Sequence, residues 1–201
     1  MRKALEALSR ADPVMGGLIE QVGPYRIRYR KPDFETLVKS IVFQQLSGKV
    51  AAKIFDRLVA AAGDGKLTPE SALKLTPAKL RALGLSRQKI AYIRDIARHA
   101  CSGAIDFAAL GSLPDDEVIQ ALTGLKGVGV WTAHMFLMFA LRRKDVLPVG
   151  DLGIRAAVKK VYGLEEMPSP AAVGEMGEKW RPYRTVASWY LWRSLEPNAN
   201  L

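Results

Sequence analysis

Leu122-Thr123-Gly124-Leu125-Lys126-Gly127-Val128-Gly129-Val130-Trp131-Thr132-Ala133, followed by Val149-Gly150-Asp151-Leu152-Gly153-Ile154-Arg155, is the stretch on which the fold turns. Gly127 and Gly129 flank a single valine, and an apolar helix-forming run begins directly after them at Val130. Glycines in that position leave the backbone N–H groups of a helix N-terminus unscreened by side chains, a geometry that can hold a phosphate oxygen. A glycine pair also serves ordinary helix capping, as the similar segment Leu80-Arg81-Ala82-Leu83-Gly84-Leu85-Ser86-Arg87-Gln88-Lys89 can. Joined to a lone carboxylate, Asp151, at the head of a further helical run, the pattern points to an enzyme that handles DNA.

Helical periodicity recurs on both sides of this stretch. Phe34, Leu37, Val38, Ile41 and Val42 form one apolar stripe, and Asp33 is placed to cap it. A second helix is expected over 51–62 with Ile54, Leu58 and Val59 inward, stopped by Gly63-Asp64-Gly65. Further helices are expected over 69–73, 77–83, 86–100, 114–122, 130–141, 152–161, 170–179 and 182–195, several of them opening on proline. Only Tyr25-Arg26-Ile27-Arg28-Tyr29 alternates like a strand, and it is too short and isolated to build a sheet. The expected fold class is all-α, one continuous domain over 1–201 with the helix-hairpin-helix at about 114–141.

The chain carries 30 Lys and Arg against 20 Asp and Glu, a formal charge of +10, which favours a polyanionic partner. A single cysteine, Cys101, excludes an intramolecular disulfide, a thiolate zinc site and a four-cysteine iron–sulfur cluster. The first residues lack the apolar core of a secretory signal, and no run approaches the ~18 apolar residues that span a bilayer. The expectation is a soluble intracellular protein with no membrane partner and no metal.

The hairpin followed by Gly150-Asp151 resembles the helix-hairpin-helix (HhH-GPD) DNA glycosylase superfamily, and within it the alkylbase enzymes of the DNA-3-methyladenine glycosylase II type. The resemblance extends to Phe34-Glu35-Thr36-Leu37-Val38-Lys39-Ser40-Ile41-Val42-Phe43-Gln44-Gln45-Leu46-Ser47, to Gly84-Leu85-Ser86-Arg87-Gln88-Lys89 and to Trp180-Arg181-Pro182-Tyr183-Arg184, in the family's order. It implies two helical lobes with a central cleft. The N-terminal β-domain of some relatives is not expected, since the residues before Phe34 are too few for one.

Asp151 reads either as a helix N-cap or, as the resemblance implies, as the catalytic residue. Breaking an N-glycosidic bond builds positive charge on the deoxyribose, so a fixed carboxylate beside it stabilises the transition state and can orient or deprotonate water. A helix N-terminus favours negative charge there. Asp145, after Arg142-Arg143-Lys144, reads as a solvated charge partner. Trp131 stands where superfamily members that also cut the strand carry a Schiff-base lysine, and an indole cannot attack the sugar. The expected enzyme is therefore monofunctional and leaves an abasic site.

Among four tryptophans, Trp180 and Trp189 read as core, while Trp131 and Trp192 match positions lining the base pocket. There an electron-rich indole attracts a purine made cationic by alkylation. The resemblance assigns Leu46 to the DNA wedge with Gln45 beside the estranged base, although Leu46 also reads as a buried connector. Lys126, Gly127, Val128, Gly129, Ser47, Lys49, Arg87 and Lys89 are the expected DNA-binding residues. His99 and His134 read as surface or structural. No cofactor is expected beyond an optional monovalent cation on the hairpin carbonyls. The expected partner is double-stranded DNA with alkylated bases, bound by a monomer. The competing readings are a non-catalytic helix-hairpin-helix module, which needs neither Asp151 nor the aromatic set, and a glycosylase for oxidised or mismatched bases.

Overall fold

Asp12-Pro13, Thr68-Pro69, Thr76-Pro77 and Ser169-Pro170 each join a capping side chain to a residue whose missing N–H is no loss in a first helical turn. A chain punctuated this way folds as many short helices. The computed structural model describes residues 1–63 and 65–195. Its helices are α1 (Arg2–Ala11), α2 (Pro13–Val22), α3 (Phe34–Phe43), α4 (Gly48–Ala62), α5 (Pro69–Lys74) and α6 (Pro77–Ala82). They continue as α7 (Arg87–Cys101), α8 (Asp115–Thr123), α9 (Val130–Phe139), α10 (Leu152–Val161), α11 (Pro170–Gly177) and α12 (Arg184–Leu195). Short 3₁₀ turns occupy Ala109–Ser112 and Glu178–Trp180, and there is no strand among the described residues. The alternating segment 25–29 is irregular. Asp64, in the expected stop after α4, lies outside the described residues, as does the chain beyond Leu195. No helix among the described residues is long and apolar enough to cross a membrane.

The chain divides into two compact units, one formed by Met1–Tyr29 with the chain from Leu137 onward, the other by Arg30–Phe136. In the first, α2 and α10 both pack on α12, and α1 packs on α2. Their shared core includes Met15, Ile154, Val158, Trp180, Trp189 and Tyr190. Trp180 and Trp189 are thus core residues, as their helical spacing indicates. α1 and α2 lie outside the helices expected from the sequence, with Asp12-Pro13 at the junction between them. In the structure it is a restart: the Asp12 carboxylate accepts the N–H groups of Val14 and Met15.

In the second unit α3 and α5 pack on α7, and α4 on α3. The stripe of α3 is fully inward, with Phe34 4% exposed and Leu37, Val38, Ile41 and Val42 at 0%, and Asp33 caps it through the Thr36 N–H at 2.9 Å. α4 opens at Gly48, three residues ahead of the expected start, with Ser47 in the N-cap position. Phe55 is buried beside Ile54 and Leu58, whereas Val59 is half-buried. Expected ends of the other helices shift by a few residues, with α12 opening at Arg184 and the 170–179 run becoming α11 plus a 3₁₀ turn.

Asp145 corrects a sequence expectation. It is held by the guanidinium fork of Arg184, with Nε on Oδ1 at 2.8 Å and an Nη on Oδ2 at 3.0 Å, and by Arg181 at 2.9 Å. Its side chain is only 27% exposed. The neighbouring Arg142-Arg143-Lys144 suggested local, solvated pairing. The actual partners stand on the far side of the loop before α12, where the bidentate geometry available to arginine selects them.

Asp12 is the buried counterpart, 2% exposed. Besides capping α2 it accepts the Trp180 indole N–H at 2.8 Å, the Tyr162 hydroxyl and the Lys179 ammonium at 3.1 Å. Burial alone would raise its pKa, but these donors together hold it below the ordinary carboxylate value. A depressed pKa means stabilisation that is complete above the unfolded-state value and is lost as pH falls through the folded one. Asp12→Ala, which strands the Trp180 and Tyr162 donors in the core, is expected to lower stability by about 3 kcal/mol or more in denaturant melts. Asp12→Asn should be less stable than wild type at neutral pH and lose less stability on acidification below pH ~4.

Candidate functional site

The hairpin between α8 and α9 belongs to the Arg30–Phe136 unit. Gly127 has φ +82°, and a Cβ there would lie 2.1 Å from the ring of Tyr92. Glycine is therefore required twice over, by the left-handed backbone and by the tyrosine packed against it. A Cβ on Gly129 would meet nothing, so this second glycine keeps the turn's outer side open. Val128 is buried and ties the turn to the core; its part in any DNA contact is confined to its backbone.

Asp95 of α7, 5% exposed, accepts the Lys126 N–H at 3.1 Å. The Lys126 side chain is 69% exposed, with its ammonium 3.9 Å from the same carboxylate. That leaves it close enough to solvent to meet a phosphate. α9 then begins at Val130, so the N-terminal end of the helix, the end that favours an anion, falls at the hairpin's end. Trp131, in that first turn, is 50% exposed.

The loop between α3 and α4 reaches the same turn. Gln44 Nε2 donates to the Gly127 carbonyl at 3.0 Å. Gln45, Leu46, Ser47 and Lys49 are exposed, Leu46 at 40%; exposure to that degree removes the buried-connector reading of Leu46. Arg87, at the start of α7, is exposed as well. Lys89 is placed otherwise than a phosphate contact would need: its ammonium donates to the carbonyls of Val42 and Gln44 at 2.7 and 2.8 Å, and burial lowers its pKa. It fastens the end of α3.

Asp151 lies in the other unit, where the helix N-cap reading of it holds. It is the N-cap of α10, accepting the Ile154 N–H on Oδ1 at 2.7 Å. The same oxygen accepts the Trp192 indole N–H at 2.9 Å, and the Trp192 ring stacks on Phe139 with centroids 6.2 Å apart. Trp192 is thus the residue that orients the carboxylate. Gly153 makes room for the pair: a Cβ there would lie 3.0 Å from Asp151 Oδ1 and 3.1 Å from Trp192 Cδ1. Sequence reasoning missed the roles of Gly153, Phe139, Gln44, Tyr92 and Asp95. A glycine inside the first turn of a helix, two residues after a capping aspartate, was the one available signal.

Among the described residues no group of three or more His, Cys, Asp or Glu side chains could hold a metal ion. Of the hairpin carbonyls, Gly127 O accepts Gln44 and Leu125 O accepts the Val128 N–H. His99 has a ring nitrogen 2.9 Å from the Asp95 carbonyl one turn back. His134 is half-buried, and burial outweighs Asp115 in lowering its pKa.

The chain belongs to the HhH-GPD superfamily of base excision DNA repair proteins, whose pattern matches residues 38–182. It is 35% identical over 199 residues to "DNA-3-methyladenine glycosylase 1" of Schizosaccharomyces pombe, covering 96% of this chain and 87% of that one. A crystal structure of a DNA-3-methyladenine glycosidase from Bacillus halodurans superposes with a TM-score of 0.88 at 38% identity, over 96% of this chain and 89% of that chain. The S. pombe 3-methyladenine DNA glycosylase Mag1, in complex with abasic DNA, superposes with a TM-score of 0.85 at 35% identity, covering 96% of each chain.

The hairpin supplies a direct test of its construction. Gly127→Ala must carry a left-handed residue with a Cβ and displace Tyr92, and is expected to destabilise the protein by about 2–4 kcal/mol in thermal or denaturant melts. A stability equal to wild type would show that the turn relaxes freely.

Proposed function

We propose that this protein is a monofunctional DNA glycosylase that excises alkylated purines, of the 3-methyladenine and 7-methylguanine class, from double-stranded DNA and leaves an abasic site. The observation that carries the reading is the Asp151 carboxylate, held by a helix N-terminus and an indole N–H at 2.7 and 2.9 Å while remaining partly exposed. The names of the relatives, 3-methyladenine glycosylases and one bound to abasic DNA, support the substrate class and the partner. The formal charge of +10 supports a polyanionic one.

Alkylation at N3 or N7 makes the purine cationic and a good leaving group, so no dedicated general acid is needed. As the glycosidic bond breaks, its electron pair returns to the purine and positive charge develops on the deoxyribose. Asp151 stabilises that charge and orients or deprotonates the water that adds to C1′. Because Trp192 and the Ile154 N–H both hold Oδ1, the carboxylate is fixed in orientation and needs little rearrangement in the transition state. Trp131 offers its exposed indole to the cationic base. It stands where a lyase would have its lysine, which leaves no amine there to form a Schiff base. Gly127, Gly129 and Lys126 hold the phosphate backbone, assisted by Ser47, Lys49 and Arg87, while Leu46 fills the gap left by the flipped nucleotide with Gln45 beside it.

The central test is incubation with methylated duplex DNA, following free 3-methyladenine and 7-methylguanine. Wild type should release them. Asp151→Asn should do so at least ~100-fold more slowly, and strand breaks should form only after alkali treatment. Release by Asp151→Asn at the wild-type rate, or breaks in step with base release, would contradict the mechanism.

Gly153→Ala separates carboxylate placement from folding. Alanine is the better helix former by up to ~1 kcal/mol, so the melting temperature should hold or rise. The new Cβ crowds Asp151 and Trp192, and excision should nevertheless fall by about tenfold or more.

A further inference from the structure

We propose that Lys89 and Gln44 are positioning residues that lock the Gln45–Leu46 loop into the shape required of a DNA wedge, so that the wedge and the backbone-gripping hairpin move as one piece. The proposal rests on the reading of Leu46 as the intercalating residue. The carbonyls at the C-terminal end of a helix have no partner within it. At the end of α3, Val42 O and Gln44 O both receive the Lys89 ammonium, at 2.7 and 2.8 Å, and a cation there also complements the helix dipole. The next residue, Gln45, has φ +55°. A residue with a Cβ holds that left-handed conformation only where its surroundings over-determine it.

Gln44 supplies the determination from both ends. Its carbonyl is pinned by Lys89, and its side-chain amide donates to Gly127 O at 3.0 Å, in the turn that Tyr92 and Asp95 hold against α7. The peptide leading into Gln45 is thereby clamped to α7 on one side and to the hairpin on the other. Only Leu46 and Ser47 separate Gln45 from the start of α4 at Gly48, so the tip has almost no slack. Leu46 is left 40% exposed at its apex. A loop ordered beforehand loses less conformational freedom on inserting between base pairs, and its apex keeps a fixed reach from the phosphates that the hairpin holds.

The test compares single-turnover release of a methylated purine from a fully paired duplex with release of the same base from a single-nucleotide bulge, where it has no pairing partner to break from and leaves no estranged base to support. Lys89→Met and Gln44→Ala should each slow the duplex reaction roughly ten- to a hundredfold while leaving the bulge reaction nearly unchanged, and Leu46→Ala should slow the duplex reaction at least as much and more than it slows the bulge reaction. Lys89→Arg, which keeps a cation at the end of α3, should recover most of the loss. A merely structural role would slow both substrates together. If Leu46→Ala discriminates between the substrates but Lys89→Met and Gln44→Ala do not, the positioning role is overturned and the wedge stands. If Leu46→Ala leaves the duplex rate intact, the wedge reading fails and the proposal with it, as it does if wild type releases no base from either substrate. Should Lys89→Met fail to fold, Gln44→Ala decides, since it removes only the tie to Gly127.

Discussion

Short helices impose one constraint on everything else in this molecule: each leaves unpaired N–H groups at its start and unpaired carbonyls at its end. With α1 to α12 mostly ten residues or fewer, a large share of the backbone lies in such ends. The chain satisfies them with side chains, from Asp12, Asp33 and Ser86 at N-termini to Lys89 at a C-terminus. The groups assigned to chemistry and DNA contact are drawn from the same inventory. Asp151 is a cap, the hairpin leads into the start of α9, and the loop proposed as the wedge is the junction of α3 and α4.

Asp12 and Asp151 show what separates a structural cap from one available for catalysis. Both are aspartates at N-cap positions, and both accept an indole N–H, from Trp180 and Trp192 respectively. Asp12 is further enclosed by Tyr162 and Lys179 until 2% of it remains accessible. Asp151 keeps a partly exposed carboxylate beside the exposed Leu152, and Gly153 brings no side chain against it. Neighbouring bulk, rather than the cap itself, decides whether the charge can face a substrate.

That difference explains what could be read in advance. The all-helical class, the inward stripe of α3, the start of α10 at Asp151 and the burial of Trp180 and Trp189 follow from periodicity and capping chemistry, which are local. The partners of Asp145, the carbonyls bound by Lys89 and the Trp192–Asp151 hydrogen bond join residues 36 or more apart. Spacing along the chain says nothing about such pairs. Lys89 is the instructive case: a basic residue in a motif shared with DNA-binding relatives reads as a phosphate ligand until its ammonium is seen between two carbonyls.

Lys89, Tyr92 and Asp95 recur at intervals of three along α7, which keeps them on one side of the helix. Lys89 holds the end of α3, Tyr92 fills the space beside Gly127, and Asp95 takes the Lys126 N–H. One helical face therefore fixes both exposed elements of its unit, the loop bearing Leu46 and the glycine turn, and Gln44 joins those two directly. Neither element could hold its shape alone, since one carries a left-handed glutamine and the other a left-handed glycine with open space beyond it. Their irregular backbones are affordable because α7 is regular, packed on α3, α5 and α6, and buried along Ile90, Ile93, Ile96 and Ala97. A rigid helix thus supports two irregular turns, the loop bearing Leu46 and the glycine turn at Gly127, through side chains on one of its faces.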